Sequence, residues 1–315
     1  EAYIATEDLY IRDPFILTEN GSYYLYGTRG FGQFEVFTST DLKTWKTHKP
    51  CFVGADDFWG NASANIEGAE AAYWAPEVHK YNGAYYMLAT FTQSGTTNQQ
   101  ASAILKADNP LGPFQLWSDG AITPAGHSCL DATLYIENGT PYLIYAHEWQ
   151  CACKNYSGTG TMDYIQLSAD LKTAVGTSSQ WFGADELTSF WEELFGTRAS
   201  NVTDGPFVYT DSAGQKYLLW ATSMDTDSGR KYSALATRFD SVGSDVNLRN
   251  DTIKLYTQDG GHSMIFTDLD GAETLVLHTP NSGDTRAKFF NVLLRDGSLV
   301  LTDRNSDLVV SGAEN

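Results

Sequence analysis

The chain has 315 residues, of which 20 are Lys or Arg and 39 are Asp or Glu, a formal charge of −19 at neutral pH. So acidic a surface repels phosphate backbones and anionic lipid heads, and no local basic stripe offsets it, so neither nucleic acid nor a membrane surface is expected as a partner. Apolar residues at 42% and aromatics at 13% supply ample core material and argue against disorder, while no apolar run approaches the roughly 20 residues of a membrane span.

Along the chain, five segments repeat one plan: a short apolar strand, a turn rich in Asn, Asp or Gly, and a very apolar second strand. The first runs from Asp13 through Phe15-Ile16-Leu17 to Asn20-Gly21 and Tyr23-Tyr24-Leu25-Tyr26, and the second from Ala75 through Val78 to Asn82-Gly83 and Tyr85-Tyr86-Met87-Leu88. The third runs from Asp131 through Leu134 to Asn138-Gly139 and Tyr142-Leu143-Ile144. The fourth runs from Asp204 through Phe207-Val208-Tyr209 to Gly214 and Tyr217-Leu218-Leu219-Trp220, and the fifth from His262 through Met264-Ile265-Phe266 to Gly271 and Leu275-Val276-Leu277. Each reads as a β-hairpin. A third strand-like stretch follows each one: Phe34 to Ser39, Ala101 to Lys106, Tyr164 to Ser168, Ser233 to Phe239, and Lys288 to Arg295.

Three or four strands per unit, five times over at spacings of about 56 to 73 residues, describe radial blades, so an all-β, five-bladed β-propeller is expected. The surplus between units falls in long loops, where function concentrates. Before the fourth unit, Leu187, Phe190, Trp191 and Leu194 stand at helical spacing with Gly196 after them, which predicts one short helix. After the fifth unit, Asp296 to Asn315 suffice for a closing strand and a tail, and no Gly/Ser/Pro-rich linker interrupts the chain; one domain over residues 1–315 is expected.

Four cysteines, Cys51, Cys129, Cys151 and Cys153, are too few for a disulfide scaffold, and Cys151-Ala152-Cys153 lacks the two-residue gap of zinc knuckles and redox motifs. One or two structural bridges, or buried thiols, are expected. The chain opens on Glu1 with no apolar signal segment, as expected of a mature or recombinant product whose targeting peptide is gone. Glycosylation sequons at Asn20, Asn61, Asn138, Asn155, Asn201 and Asn250 exceed the roughly three expected by chance and point to a secreted, extracellular glycoprotein.

In a propeller the innermost strand of every blade lines the axis, so the repeat starts converge. Three of those starts are the carboxylates Asp13, Asp131 and Asp204. Asp before Pro or Gly is also a common turn former. Acids crowded in one funnel repel one another and are partly desolvated, which spreads their pKa values. Glycosidic cleavage needs that division: one carboxylic acid protonates the leaving oxygen while one carboxylate activates water or attacks the sugar.

At these residues the chain resembles the family 43 glycoside hydrolases, five-bladed propellers that act with inversion on arabinose- and xylose-containing polysaccharides and, in some members, on galactans. The resemblance covers nearly the whole chain. It rests on Arg12-Asp13-Pro14-Phe15, Tyr73-Trp74-Ala75-Pro76-Glu77-Val78, Leu130-Asp131-Ala132, Thr203-Asp204-Gly205-Pro206 and Gly261-His262-Ser263-Met264, one from each blade in order. It implies Asp13 as the general base, Asp131 as the carboxylate that raises the pKa of the acid and orients it, and Asp204 as the general acid. The family pattern has Glu in that last place, so the donor here is one methylene shorter. Glu148, in His147-Glu148-Trp149, is the alternative donor or else a hydrogen-bonding residue of the rim. At His262 the resemblance implies a water-bound axial cation, often calcium, or a water network; a buried His bonded to ordered water is the other reading. Two carboxylates need no Lewis acid, so no cofactor is required.

Sugar rings expose apolar faces that stack on aromatic planes. Trp74 adjoins the second-blade motif and is the expected platform, or else core; Phe31, Trp59 and Trp149 lie in loops that could shape outer subsites, and Arg286 could anchor a sugar hydroxyl or a catalytic carboxylate. The expected partner is an oligo- or polysaccharide acted on by a monomer. An α-L-arabinofuranosidase of plant cell-wall polymers is the leading expectation, ahead of a β-xylosidase or a galactan-active enzyme. The related fructan hydrolases fit poorly, because their Trp-Met-Asn-Asp-Pro-like nucleophile is replaced by Ile11-Arg12-Asp13-Pro14. A non-catalytic sugar-binding propeller is the alternative from another class.

Overall fold

Turn chemistry sets the hairpins. Asn20-Gly21, Asn82-Gly83, Asn138-Gly139 and Asp296-Gly297 hold both residues at positive φ, as the tight two-residue turn between right-twisted strands demands and Asn-Gly or Asp-Gly tolerates. The computed structural model describes residues 2–62, 71–94, 99–149, 151, 158–188, 190–196 and 198–310.

Five antiparallel sheets form the blades of a propeller. From the axis outward, blade one consists of Arg12–Glu19, Ser22–Thr28, Phe37–Ser39 and Thr44–Thr47, with Tyr3–Ala5 added outside. Blade two consists of Tyr73–Tyr81, Ala84–Ser94, Gln99–Ala107 and Gln115–Leu116, and blade three of Cys129–Glu137, Thr140–His147, Thr161–Leu167 and Ala174–Gly183. Blade four consists of Asp204–Thr210, Lys216–Thr226, Gly229–Phe239 and Thr252–Tyr256, and blade five of Gly261–Thr267, Glu273–Thr279, Arg286–Arg295 and Ser298–Asp303. The inner strands neighbour one another in the order one, two, three, four, five and back to one, which closes the ring.

Apolar side chains from facing sheets fill the wedges between blades: Leu88 and Ile104 with Leu143 and Tyr145, Ile144 and Met162 with Leu218 and Trp220, Leu219 and Tyr217 with Leu275 and Leu277. Tyr23, Tyr85 and Tyr86 are buried in this layer, and Tyr24 is half-buried against it. The last strand completes blade five instead of joining blade one.

Local departures from the expected elements have physical causes. Gln33–Phe34 leaves the third strand of blade one to pair with Phe52–Val53, where the Phe34 ring joins Phe52, Tyr73 and Phe91. The single helix predicted around Leu187 is two short ones, Asp185–Thr188 and Trp191–Phe195, with Gly196 at φ 70° capping the second; Leu187 and Trp191 are buried. Cys51 and Cys129 are buried thiols, burial pushing Cys51 up to about 12, and Cys151 is disulfide-bonded. Cys153 and Asn155 lie outside the described residues. Asn20, Asn138, Asn201 and Asn250 are exposed, whereas the Asn61 amide is engaged by Ala55 O and the Tyr73 hydroxyl. Among the described residues no helix is long and apolar enough to cross a membrane.

One irregularity repeats in every blade and positions the site. Each inner strand carries a β-bulge, at which register is lost between Arg12 and Phe15, Trp74 and Glu77, Leu130 and Thr133, Asp204 and Phe207, and Gly261 and Met264. The second residue of each interval has positive φ: Asp13 49°, Ala75 49°, Asp131 59°, Gly205 53°, His262 55°. Bulges bend a strand and re-aim its side chains, and a non-glycine residue here costs about 1–2 kcal/mol. This corrects the expected repeat: the structural counterpart of Asp13 and Asp131 in blade four is Gly205, and Asp204 stands one residue earlier, level with Arg12 and Trp74.

Candidate active site

The bulge residues Asp13, Ala75, Asp131 and Gly205 are latched from the preceding blade. The N–H of Asp13 donates to Nδ1 of His278 at 3.0 Å, that of Ala75 to Oγ1 of Thr28 at 2.7 Å, and that of Asp131 to Oγ1 of Thr90 at 3.0 Å. His278, Thr28 and Thr90 each stand on a second strand opposite the residue before a bulge. In blade three that place is taken by Ala146, which has no polar side-chain atom to offer. The Gly205 N–H therefore donates to Oδ2 of Asp131 itself, at 3.1 Å, and this fixes the orientation of that carboxylate.

Asp13, Asp131 and His262 meet at the hub. Nδ1 of His262 lies 3.0 Å from Oδ1 of Asp13 and 3.7 Å from Oδ2 of Asp131. The Thr28 hydroxyl donates to the other oxygen of Asp13 at 2.6 Å. Burial opposes charge on His262, but the two carboxylates facing it raise its pKa to about 10, so the ring is an imidazolium at neutral pH. Burial likewise opposes charge on Asp13; His262, with the Arg12 guanidinium behind, outweighs it and holds this carboxyl far below the usual range. Asp131 is raised to about 6 by burial, which the attraction of His262 only partly offsets and the charge of Asp13 reinforces. Asp204 is pushed well above the ordinary range by burial, then by the charges of Asp131 and Glu148. The hub thus favours the ionised form of Asp13 and the protonated form of Asp204, with Asp131 between them.

Support comes from residues that the repeat motifs did not mark. His278 accepts at Nδ1 and so donates from Nε2, to Oδ1 of Asn281 at 2.9 Å; it is neutral, with burial holding its pKa near about 4. Its 3.4 Å approach to Oδ1 of Asp13 is therefore not an ion pair. Arg12 donates to Asn281 O and Oδ1. Asp259 accepts from the N–H groups of Asn281 and Tyr232 at 3.1 and 3.0 Å. The Tyr232 hydroxyl donates to Oδ2 of Asp204 at 3.1 Å. Thr28 and His278 had a sequence signal, a polar residue closing the second strand of a repeat; Tyr232, Asp259 and Asn281 had none.

The remaining expected site residues spread outward. Trp74 is half-buried on the inner strand of blade two, level with Asp204. Glu148 is half-buried, within electrostatic reach of Asp204, and Trp149 is exposed beside it. Phe31 is exposed and bridges to Ala72, while Trp59 packs on Phe58 and Phe91. Arg286 lies elsewhere: Nε donates to Glu7 O at 2.9 Å and Nη1 to Thr285 O at 3.0 Å, in the contact between the N-terminal segment and blade five.

With Nδ1 of His262 turned to Asp13, only Nε2 of the ring could face a water-held cation. The described residues hold no group of three His, Cys, Asp or Glu placed to share an ion directly. The imidazolium itself supplies the positive charge at the hub.

The profile of the glycosyl hydrolases of family 43 matches residues 8–293. Among solved structures, the endo-arabinase of Bacteroides thetaiotaomicron VPI-5482 is 32% identical, with a TM-score of 0.77 over 95% of this chain and 100% of that one. An exo-1,5-α-L-arabinanase from a bovine ruminal metagenomic library, 19% identical with a TM-score of 0.68 over 93% of this chain and 97% of that one, shares the fold. By sequence, the chain is 26% identical over 150 residues to the extracellular endo-α-(1→5)-L-arabinanase 1 of Bacillus subtilis (strain 168), covering 44% of each. It is 24% identical over 217 residues to the extracellular exo-α-(1→5)-L-arabinofuranosidase of Streptomyces avermitilis, covering 67% of this chain and 40% of that relative. The matched stretch spans less than half the length of either curated relative.

Proposed function

The chain belongs to the glycosyl hydrolases of family 43, and from that premise we propose that it hydrolyses α-L-arabinofuranosyl linkages in plant cell-wall polysaccharide, with inversion at the anomeric carbon. The feature that carries the reading is the opposite electrostatic treatment of two acids at one hub, the ionised form favoured at Asp13 and the protonated form at Asp204. They face the hub from blades one and four and spend their hydrogen bonds on different partners, Thr28 and His262 against Tyr232.

In a single displacement, Asp13 takes a proton from water as the water oxygen bonds to the anomeric carbon. The bond from that carbon to the leaving oxygen breaks, and Asp204 gives its proton to that oxygen. Asp131 keeps Asp204 protonated through its charge. Trp74 offers an aromatic face to the sugar ring. Arabinose is supported as the substrate sugar by the names of the relatives, and secretion by the extracellular designation of the two curated ones. The enzyme works as a monomer and needs no metal for this chemistry.

The test follows the anomer of the first product by NMR on aryl α-L-arabinofuranosides and linear arabinan. Inverted arabinose alone supports exo action; a retained first anomer, or no turnover on any arabinoside, overturns the proposal. Endo action is the second reading, favoured by full-length similarity to an endo-arabinase; a ladder of arabino-oligosaccharides from linear arabinan would select it.

A further inference from the structure

Tyr232 is a buried phenol that the displacement above leaves without a task. It belongs to the third strand of blade four, yet its hydroxyl reaches the inner strand and donates to Oδ2 of Asp204 at 3.1 Å. Every other part of the residue is fixed. Its N–H donates to Oδ1 of Asp259 at 3.0 Å, its carbonyl accepts from the Gly260 N–H at 3.0 Å, and its ring stacks on His278 with centroids 5.5 Å apart and 16° between planes. Space for the ring depends on Gly261, where a Cβ would come within 2.6 Å of Cε1 of Tyr232. The imidazole beneath the ring is the one that accepts the Asp13 N–H. One stacked pair therefore ties the side chain of one acid to the backbone of the other.

A carboxyl at a hub with one donor on Oδ2 has its second oxygen left to carry the proton, and its χ2 no longer rotates freely. Burial raises the pKa of the phenol well above its ordinary range, so it acts as a donor. Resting on the assignment of Asp204 as the acid, we propose that Tyr232 is the positioning residue of the proton donor. Its hydroxyl fixes the Asp204 carboxyl so that Oδ1 faces the leaving oxygen, and it stabilises the carboxylate that remains once the proton has gone.

The test is Tyr232→Phe, which keeps the ring and its stacking. Aryl glycosides of arabinose and of α-1,5-arabinobiose would be assayed with a 2,4-dinitrophenolate leaving group, which departs without protonation, and a 4-methylphenolate one, which does not. A hydrogen bond to a developing charge contributes about 1.5–3 kcal/mol, so kcat on the 4-methylphenyl substrate should fall about 10- to 100-fold with KM nearly unchanged. On the dinitrophenyl substrate the loss should stay below about threefold, which also shows that the variant is folded. Equal losses on both substrates, or none on either, overturn the proposal. Asp204→Asn is measured alongside: if it keeps its 4-methylphenyl activity, the assignment of the acid fails. If it loses that activity and Tyr232→Phe does not, only the role of Tyr232 fails.

Discussion

His262 organises the charges at the hub because it faces two carboxylates while carrying one positive charge. Its shorter contact goes to Asp13, at 3.0 Å against 3.7 Å for Asp131. That asymmetry separates two acids of one residue type: Asp13 is kept ionised, while Asp131, with the weaker share, is raised to about 6. Asp13→Asn should therefore lower kcat by about 10²–10⁴-fold, the usual worth of a general base, while calorimetry still detects sugar binding. A variant that turns over normally would remove Asp13 from the chemistry, and a parent chain with no turnover to lose would be a sugar-binding propeller. Asp131→Asn tests a different link. Burial is the largest cause of the raised pKa of Asp204 and the charge of Asp131 the next. Deleting that charge lowers the pKa of the donor, so the donor loses its proton at lower pH. The basic limb of kcat/KM should accordingly move to lower pH, as a macroscopic shift of a coupled set. A basic limb that stays in place in the pH profile would mean that Asp131 does not control the donor.

Among the elements, the hairpins were legible because Asn20-Gly21, Asn82-Gly83 and Asn138-Gly139 permit little else between two apolar runs. The bulges were not, because register is a relation between two strands and neither strand states it alone. That is why Asp204 aligned with Asp13 and Asp131 in the repeat, while the backbone instead aligns Gly205 with them. Three acids at the hub were readable from their motifs, whereas Tyr232, Asp259 and Asn281 come from a third strand and from loops, whose approach to the hub no repeat motif states. The bulge of blade four also explains why glycine stands at 205. Its φ is 53°, and a Cβ there would lie 2.8 Å from Cγ of His262. Gly205→Ala adds about 1–2 kcal/mol of backbone strain and pushes on the imidazolium that keeps Asp13 ionised. A lower melting temperature together with at least about a tenfold loss in kcat is expected, since displacement of about 1 Å at a site can cost a hundredfold. Wild-type kinetics in a destabilised Gly205→Ala protein would show that His262 tolerates displacement.

At the scale of the whole molecule, the ring closes among the described residues without a strand shared between its ends. Blade one and blade five each come from their own stretch of chain and meet along a seam of non-covalent contacts. Thr18 Oγ1 donates to Thr267 O at 2.8 Å, the Leu269 N–H to the Tyr23 hydroxyl at 2.7 Å, and the Ile11 N–H to Thr285 O at 3.3 Å. The bonds from Asp13 to His262 and His278 cross the same seam, so the base is assembled only when the propeller is shut. Arg286 sits at the outer part of this seam, bridged to Tyr10 with its guanidinium on Glu7 O. A sugar-anchoring arginine and a seam arginine leave different traces when truncated. Arg286→Ala removes a charge-assisted hydrogen bond from a partly exposed place, a loss of about 1 kcal/mol, or about 2 °C in melting temperature for a chain of this size. Calorimetric melting should show that drop, with kcat and KM at 25 °C within about twofold of the parent. A raised KM with an unchanged melting temperature would move Arg286 from the seam to the substrate.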